Sequence, residues 1–199
     1  MTKWDERFAG AEYMFGTQPA QALTRHLDTL HKGGTTLAVA DGEGRNSVYL
    51  AKQGFDVTAM DSSQIGIDKA RKLAALHGVA PTFELADIYE YDWQVHSYDN
   101  LVAIFIQFAP PEMWDRIFTG MKSALRSGGC LMLHGYTPRQ IDYGTGGPSN
   151  VAHLYTPDML ATYFGDMDIH LNQAYETVLD EGDGHQGQSA VIDFIAYKR

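Results

Sequence analysis

Leu37-Ala38-Val39-Ala40-Asp41-Gly42-Glu43-Gly44-Arg45-Asn46 is a short apolar run that passes into a Gly-x-Gly turn and then into helical spacing. Glycine reaches left-handed backbone angles and lets a ligand approach closely, so a strand ending on such a turn is a place where ligands can sit. The turn alone is common punctuation in α/β proteins, and its surroundings add to it. Asp61 closes the next apolar run, Val57-Thr58-Ala59-Met60, about twenty residues on, where a carboxylate can accept hydrogen bonds from both hydroxyls of a ribose. A third run ends at Leu85-Ala86-Asp87-Ile88, which offers an acid for an exocyclic amine and an apolar side chain for an adenine face. Three strand ends converge on one nucleoside, as ligands do at the carboxyl ends of open α/β sheets. The plainer readings are an ordinary turn at Gly42 and Gly44, a helix-capping carboxylate at Asp61 and a loop carboxylate at Asp87.

Outward from this stretch, apolar runs alternate with helical periods: 36–40 then 45–53, and 56–60 then 64–77. That alternation predicts βαβ units and a parallel sheet. Further strands are expected at 82–85, 101–105 and 130–134. The helix between the last two opens after Pro110-Pro111 and carries Met113, Ile117, Met121 and Leu125 as one apolar stripe. Gly54 and Gly128-Gly129 stand where helices stop and strands begin. After a glycine-rich loop at 137–150 come a helix at 157–164 and two strand-like runs, 168–178 and 188–197. With only a turn-rich connector between them, these two runs must pair antiparallel. Val191 to Ile195 reads as core that can also pair with another chain.

The chain has 199 residues, 44% of them hydrophobic, which fits one domain over 1–199 with a substantial core. Fifteen Lys and Arg against 25 Asp and Glu give a net charge of −10, which argues against nucleic acid and anionic membranes and towards small-molecule partners. No apolar stretch is long enough for a membrane span, and residues 1–7 do not read as a secretory signal. One cysteine, Cys130, supports neither a disulfide framework nor a multi-cysteine zinc site, so no metal is expected and the cytoplasm is the expected compartment.

Several segments together resemble the class I S-adenosylmethionine-dependent methyltransferases, and within them the small-molecule branch that includes tellurite-resistance-type and thiopurine-type enzymes. The segments are Trp4-Asp5-Glu6-Arg7-Phe8 with Tyr13-Met14-Phe15-Gly16, Gly42-Glu43-Gly44-Arg45-Asn46, Asp61-Ser62-Ser63, and Ala86-Asp87-Ile88. Later ones are Leu125-Arg126-Ser127-Gly128-Gly129, and Tyr136-Thr137-Pro138-Arg139-Gln140 with Thr145-Gly146-Gly147-Pro148. The resemblance implies a Rossmann-like α/β fold: a seven-stranded, mostly parallel sheet ordered 3-2-1-4-5-7-6, strand 7 antiparallel, with helices on both faces. It implies S-adenosyl-L-methionine as cofactor. Gly42 and Gly44 would line the methionine moiety with Ala40, Asp41 and Asn46 beside them, Asp61 and Ser62 the ribose, and Asp87 with Ile88 the adenine. Trp4, Arg7, Phe15 and Gly16 would belong to an N-terminal helical cap, 1–30, closing the cofactor side; the plainer reading of Trp4 and Phe15 is hydrophobic docking. The sequence departs from the family at Ala38, where many members carry an acid for the methionine ammonium. That contact then falls to a carbonyl near Ala40, to Asp41 or to the N-terminal segment.

Methyl transfer from a sulfonium is an in-line displacement with an activated leaving group, so alignment supplies most of what a protein contributes. A soft nucleophile needs only a dry, oriented pocket, whereas a hydroxyl or amine benefits from a base. Of eight histidines, His134, His153 and His185 are the candidates, with Tyr136 beside them; the other five read as surface or helix residues. Tyr13, Gln107, Phe108, Tyr136 and Arg139 are the candidate acceptor contacts, with 137–153 as the acceptor-site loop. Arg139 could recognise a carboxylate or oxyanion through two parallel donors. Two rivals are a non-catalytic S-adenosylmethionine-binding module and a dinucleotide-dependent oxidoreductase. Against the second, Ser47 stands where a third glycine belongs and no second mononucleotide-binding half follows.

Overall fold

The computed structural model describes residues 2–95 and 97–199. The strands are β1 (Thr35–Val39), β2 (Asp56–Asp61), β3 (Thr82–Leu85), β4 (Tyr98–Ile104), β5 (Leu125–Tyr136), β6 (Asp168–Asp180) and β7 (Gln186–Tyr197). They form one sheet in the order β3-β2-β1-β4-β5-β7-β6. The first five are parallel, and β7 runs antiparallel to both β5 and β6. The helices are α1 (Lys3–Phe8), α2 (Gln21–Arg25), α3 (Arg45–Lys52), α4 (Gln64–Leu76), α5 (Trp114–Ala124), α6 (Gln140–Tyr143) and α7 (Pro157–Phe164). Among the described residues no helix is long and apolar enough to cross a membrane.

Helix placement follows from spacing and caps. In α5, Trp114, Ile117, Phe118, Met121 and Ala124 are buried, three and four residues apart, so one face packs on the sheet. Gly44 starts α3 in the left-handed region (φ +92°), the Ser63 hydroxyl caps α4 by accepting from the Gly66 amide (3.0 Å), and Thr156 with Pro157 opens α7.

The structure corrects several boundaries. β5 begins at Leu125, so Gly128 and Gly129 lie inside a paired strand; Gly128 (φ +78°) makes a local bend whose amide donates to the Lys198 carbonyl (2.7 Å). Leu125 is buried as part of that strand, and Met113 sits in a 3₁₀ turn before α5. The hairpin strands are longer than expected, because polar edge residues still complete the ladder from Thr177↔Ser189 to Asp180↔Gln186. The connector shrinks to 181–185. Val191 to Ile195 are interior, since β7 lies between β5 and β6, and the open edges of the sheet are β3 and β6. Residues 9–20 form a strap of turns and bends between α1 and α2, held by the Met14 amide on Glu43 and the Ala20 amide on Asn46.

Candidate active site

A cavity of about 700 Å³ opens at the carboxyl ends of β1, β2 and β4, within the ~300–1,000 Å³ typical of small-molecule sites. Two non-glycine residues on its wall hold left-handed backbones, Ala40 (φ +48°) after β1 and Phe105 (φ +56°) after β4. Such conformations cost on the order of 1–3 kcal/mol and gather at functional sites. Both re-aim the chain just as it leaves the sheet.

The structure brings most of the residues expected to hold the cofactor to one wall of this cavity and leaves others away from it. Gly42 lines the cavity, and a β-carbon there would stand 3.3 Å from the Phe8 ring. Asp61 is 7% exposed; one of its oxygens accepts from the Gly42 amide (2.8 Å) and the other from the Ser63 amide (2.8 Å). It therefore ties the glycine turn to the start of α4 while facing the cavity, and burial raises its pKa. Ser62, Asp87 and Ile88 line the same wall, with Asp87 exposed at the rim. Asn46 borders it too, although its Oδ1 accepts from the Ala20 amide (2.9 Å) and so holds the strap. Asp41 borders the cavity but commits its carboxylate to the Ser47 amide and hydroxyl, the local task of the residue expected as a third glycine.

Gly44 and Gly16 do not reach the cavity. A β-carbon on Gly44 would lie 2.6 Å from that of Ala70, so this glycine serves the contact of α3 with α4. Gly16 (φ +68°) faces the backbone of Gly182, joining the strap to the hairpin connector.

The domain family described as "Methyltransferase domain" matches residues 37–129. Within that span the chain is similar to a methyltransferase domain. A tRNA (uracil(54)-C(5))-methyltransferase of Pyrococcus horikoshii is 33% identical over 90 residues, 44% of this chain and 22% of that protein. Its Pyrococcus abyssi namesake is 31% identical over 105 residues, 49% of this chain and 25% of that protein. The chain thus spans no more than a quarter of the curated relatives it matches. Among solved structures, one reported for conversion of a disulfide bond into a thioacetal group during echinomycin biosynthesis superimposes with TM-score 0.79 at 17% identity, over 98% of this chain and 90% of that one. TehB from Haemophilus influenzae gives 0.71 at 20%, covering 89% and 61%. Magnesium protoporphyrin IX methyltransferase from Synechocystis PCC 6803, with bound SAH, gives 0.67 at 17%, covering 89% and 80%.

Opposite the wall formed by Gly42, Asp61 and Ile88, the cavity presents an aromatic face. His185 is stacked between Phe15 (centroids 4.6 Å apart) and Phe105 (4.0 Å), and its Nδ1 is 2.7 Å from the Tyr136 hydroxyl. Gly184 makes room for this, since a β-carbon there would collide with the Phe15 ring. Trp4 meets Phe108 edge-on at 5.5 Å, and the Arg7 guanidinium lies over the Trp4 ring at 4.8 Å. His153 lines the cavity with its Nδ1 3.2 Å from the Gln107 carbonyl. Gln107 lines it as well, but its amide is taken up by the backbone of Tyr136 and His153.

Three acceptor candidates lie elsewhere. Arg139 is on the outer surface, its Nε donating to Glu176 (2.6 Å), because its helical turn faces β6 instead of the cleft. Tyr13 turns its hydroxyl to the Lys69 carbonyl (3.0 Å) beneath the strap. His134 is buried under the cavity floor, with its Nδ1 2.6 Å from Asp193. Of the five remaining histidines, His96 is outside the described residues.

The sequence reading missed the clasps that shut the site. Glu43, between the two glycines, is buried; it pairs with Lys69 (2.7 Å) and accepts from the Met14 amide (2.7 Å). Arg45 pairs with Glu181 of the connector (2.8 Å) and donates to the Phe15 carbonyl (3.3 Å), while Glu181 accepts from the Gln21 amide (2.8 Å). Acids and bases in a polar turn read as solvated surface, and nothing local announces partners so distant in the chain.

Burial, then the neighbouring Arg45, His134 and Arg7, push the pKa of His185 down to about 2. A histidine in the unfolded chain binds its proton near 6.5. Below about pH 6.5 the unfolded chain therefore holds a proton that the folded chain refuses, and stability falls on acidification. Asp41 has the opposite sign: burial, opposed by Ser47, lifts it to about 7, so its contribution falls as pH rises from about 4 to 7. His185→Phe removes the first slope and leaves the second. Relative to wild type, its stability is expected to rise by up to about 1.4 kcal/mol per pH unit as pH drops from 6.5 to 5. Urea unfolding at pH 7, 6 and 5 checks this, and parallel curves would contradict it.

Proposed function

We propose that the protein is an S-adenosylmethionine-dependent methyltransferase acting on a small-molecule acceptor. The observation that carries the reading is one cavity with a nucleoside-type wall on one side and a closed aromatic wall on the other. On the first side Gly42, Asp61, Ser62, Asp87 and Ile88 are arranged for a methionine-bearing nucleoside: an approachable backbone, a carboxylate for ribose hydroxyls, and an acid beside an apolar surface for adenine. These groups fit the cofactor, with the ammonium left to the backbone after Ala40, since Asp41 is committed to Ser47. S-adenosylmethionine supplies an electrophilic methyl group on a sulfonium.

The chain's own part is binding, orientation and exclusion of water. Trp4 and Phe15, carried by an N-terminal cap, and Phe108 after β4 keep the cavity dry. His185 offers its Nε2 to the acceptor, because Nδ1 is engaged by Tyr136. With a pKa of about 2 it is a weak proton acceptor, so it orients more than it deprotonates. That favours an acceptor which arrives as an anion or sheds its proton easily, such as a thiol or an oxyanion of selenium or tellurium. Gly147, Pro148, Ser149 and Asn150, within the expected acceptor loop 137–153, border the same space and are proposed to set its shape.

The tRNA methyltransferases align with under half of this chain, and a net charge of −10 weighs against an RNA acceptor. A cytoplasmic setting is part of the proposal and rests on the one cysteine, Cys130, which is buried with its thiol pushed up to about 12 by desolvation. The test is release of S-adenosylhomocysteine when the protein is offered S-adenosylmethionine with a panel of thiols, selenite, tellurite, amines and phenols. Turnover on one class supports the proposal. Silence across the panel despite calorimetric binding of S-adenosylmethionine favours a sensor, and binding of NADH alone would replace the reading with a dehydrogenase.

A further inference from the structure

We infer that Asp193 and His134 are positioning residues for the acceptor side of the cleft, acting on His185 through the ring of Phe105. The inference rests on the reading that His185 faces the acceptor.

His134 of β5 and Asp193 of β7 are cross-strand partners. Both are buried, at 1% and 4% exposure, and Nδ1 of the one lies 2.6 Å from Oδ1 of the other. Asp193 is also reached by Tyr175 from β6 (3.0 and 3.1 Å to its two oxygens), Arg25 from α2 (3.0 Å) and His26 just after it (2.8 Å), so that with His134 its acceptor sites are filled. Burial opposes its charge, but hydrogen bonds from His134 and His26 outweigh that and hold its pKa at about 2. An ionised Asp193 requires a proton on Nδ1 of His134, which fixes the ring's orientation and tautomer. Nε2 of His134 is buried without a hydrogen-bond partner among the described residues.

The His134 ring meets Phe105 edge-on, with centroids 4.7 Å apart and planes at 77°. Phe105 in turn stacks on His185 at 4.0 Å and 20°. Its left-handed backbone is a conformation a phenylalanine keeps only when its neighbours over-determine it. The stack Phe15, His185, Phe105 therefore has its footing on the His134–Asp193 pair. The other polar groups that bear on His185 are Tyr136 from β5, Arg45 from α3 and Arg7 from α1. Arg45 and Arg7, together with His134 itself, disfavour a charge on it, and His134 with Asp193 also sets the plane in which it stands.

The experiment follows the imidazole nitrogens by ¹H–¹⁵N NMR in the full-length protein, with S-adenosylhomocysteine as the probe ligand. In the wild type, His185 is expected to show one tautomer and no protonation from pH 8 to 5. In His134→Gln, which keeps a donor for Asp193 but loses the ring, and in Asp193→Asn, His185 should show mixed tautomers and begin to titrate within that range. Affinity for S-adenosylhomocysteine should change by less than about threefold. Should Asp193→Asn fail to fold, His134→Gln and Phe105→Leu make the same test. Folded variants that bind S-adenosylhomocysteine and keep the wild-type His185 signals would overturn the inference alone. Failure of the wild type to bind S-adenosylhomocysteine would overturn the cofactor reading and the inference with it.

Discussion

Arg45→Met is expected to destabilise the protein by about 3–5 kcal/mol, the usual cost of leaving one member of a buried ion pair alone. Arg45 and Glu181 expose only 7% and 2% of their side chains, so Glu181 would keep its charge with little water to stabilise it. A folded domain has roughly 5–15 kcal/mol in all, so the loss is a large share of the total. Both the strap and the hairpin connector would loosen, since Arg45 also holds the Phe15 carbonyl and Glu181 the Gln21 amide. Adding Glu181→Leu removes the stranded charge and should recover most of the stability, though not the bond to Gln21. Urea midpoints of the wild type, the single variant and the double variant decide the matter. A single variant within about 1 kcal/mol of wild type would mean that water reaches the pair, because surface pairs are worth no more than that.

Asp61→Ala is expected to weaken S-adenosylhomocysteine binding by about 100-fold or more. Hydrogen bonds to a charged group contribute about 1.5–3 kcal/mol each, and this carboxylate is proposed to accept two from the ribose. The same change removes the acceptors of the Gly42 and Ser63 amides, so the glycine turn loses its tie to α4. Asp61→Asn keeps one acceptor oxygen and should lose about tenfold. Titration calorimetry of the three proteins gives the comparison. An affinity in Asp61→Ala equal to that of wild type would put the ribose elsewhere and undo the assignment of this wall.

Much of the architecture was legible because it is written in local patterns. Runs of apolar residues, their alternation with helical spacing and the short connector after Asp180 settle which strands are parallel and which pair is antiparallel. Gly42, Asp61, Asp87 and Ile88 meet at one cavity for the same reason: they lie at strand ends that the sheet brings together. The errors fall where a residue's partner lies far off. Arg139 reads as a free anion receptor until Glu176 is folded against it, and Gly44 as a ligand contact until α4 is packed on α3. Gly128 looks like a boundary because a glycine that bends a strand and one that ends a helix are alike in sequence. Phe105 gave no signal, since nothing in its neighbours marks a left-handed phenylalanine.

The sequence by itself therefore determined the class of fold, the order of its elements and which strand ends meet at the cavity, all consequences of periodicity and of glycine's conformational freedom. It also gave a net charge of −10 that turned attention to small acceptors. Only the tertiary structure decided which charges are buried, that Glu43 and Arg45 clasp the strap and connector, and that His185 stands between two phenylalanine rings above His134 and Asp193. The physical reason is range. Backbone preference and hydrophobic period act over a few residues, whereas ion pairs and ring stacks depend on which distant segments the completed sheet carries into contact.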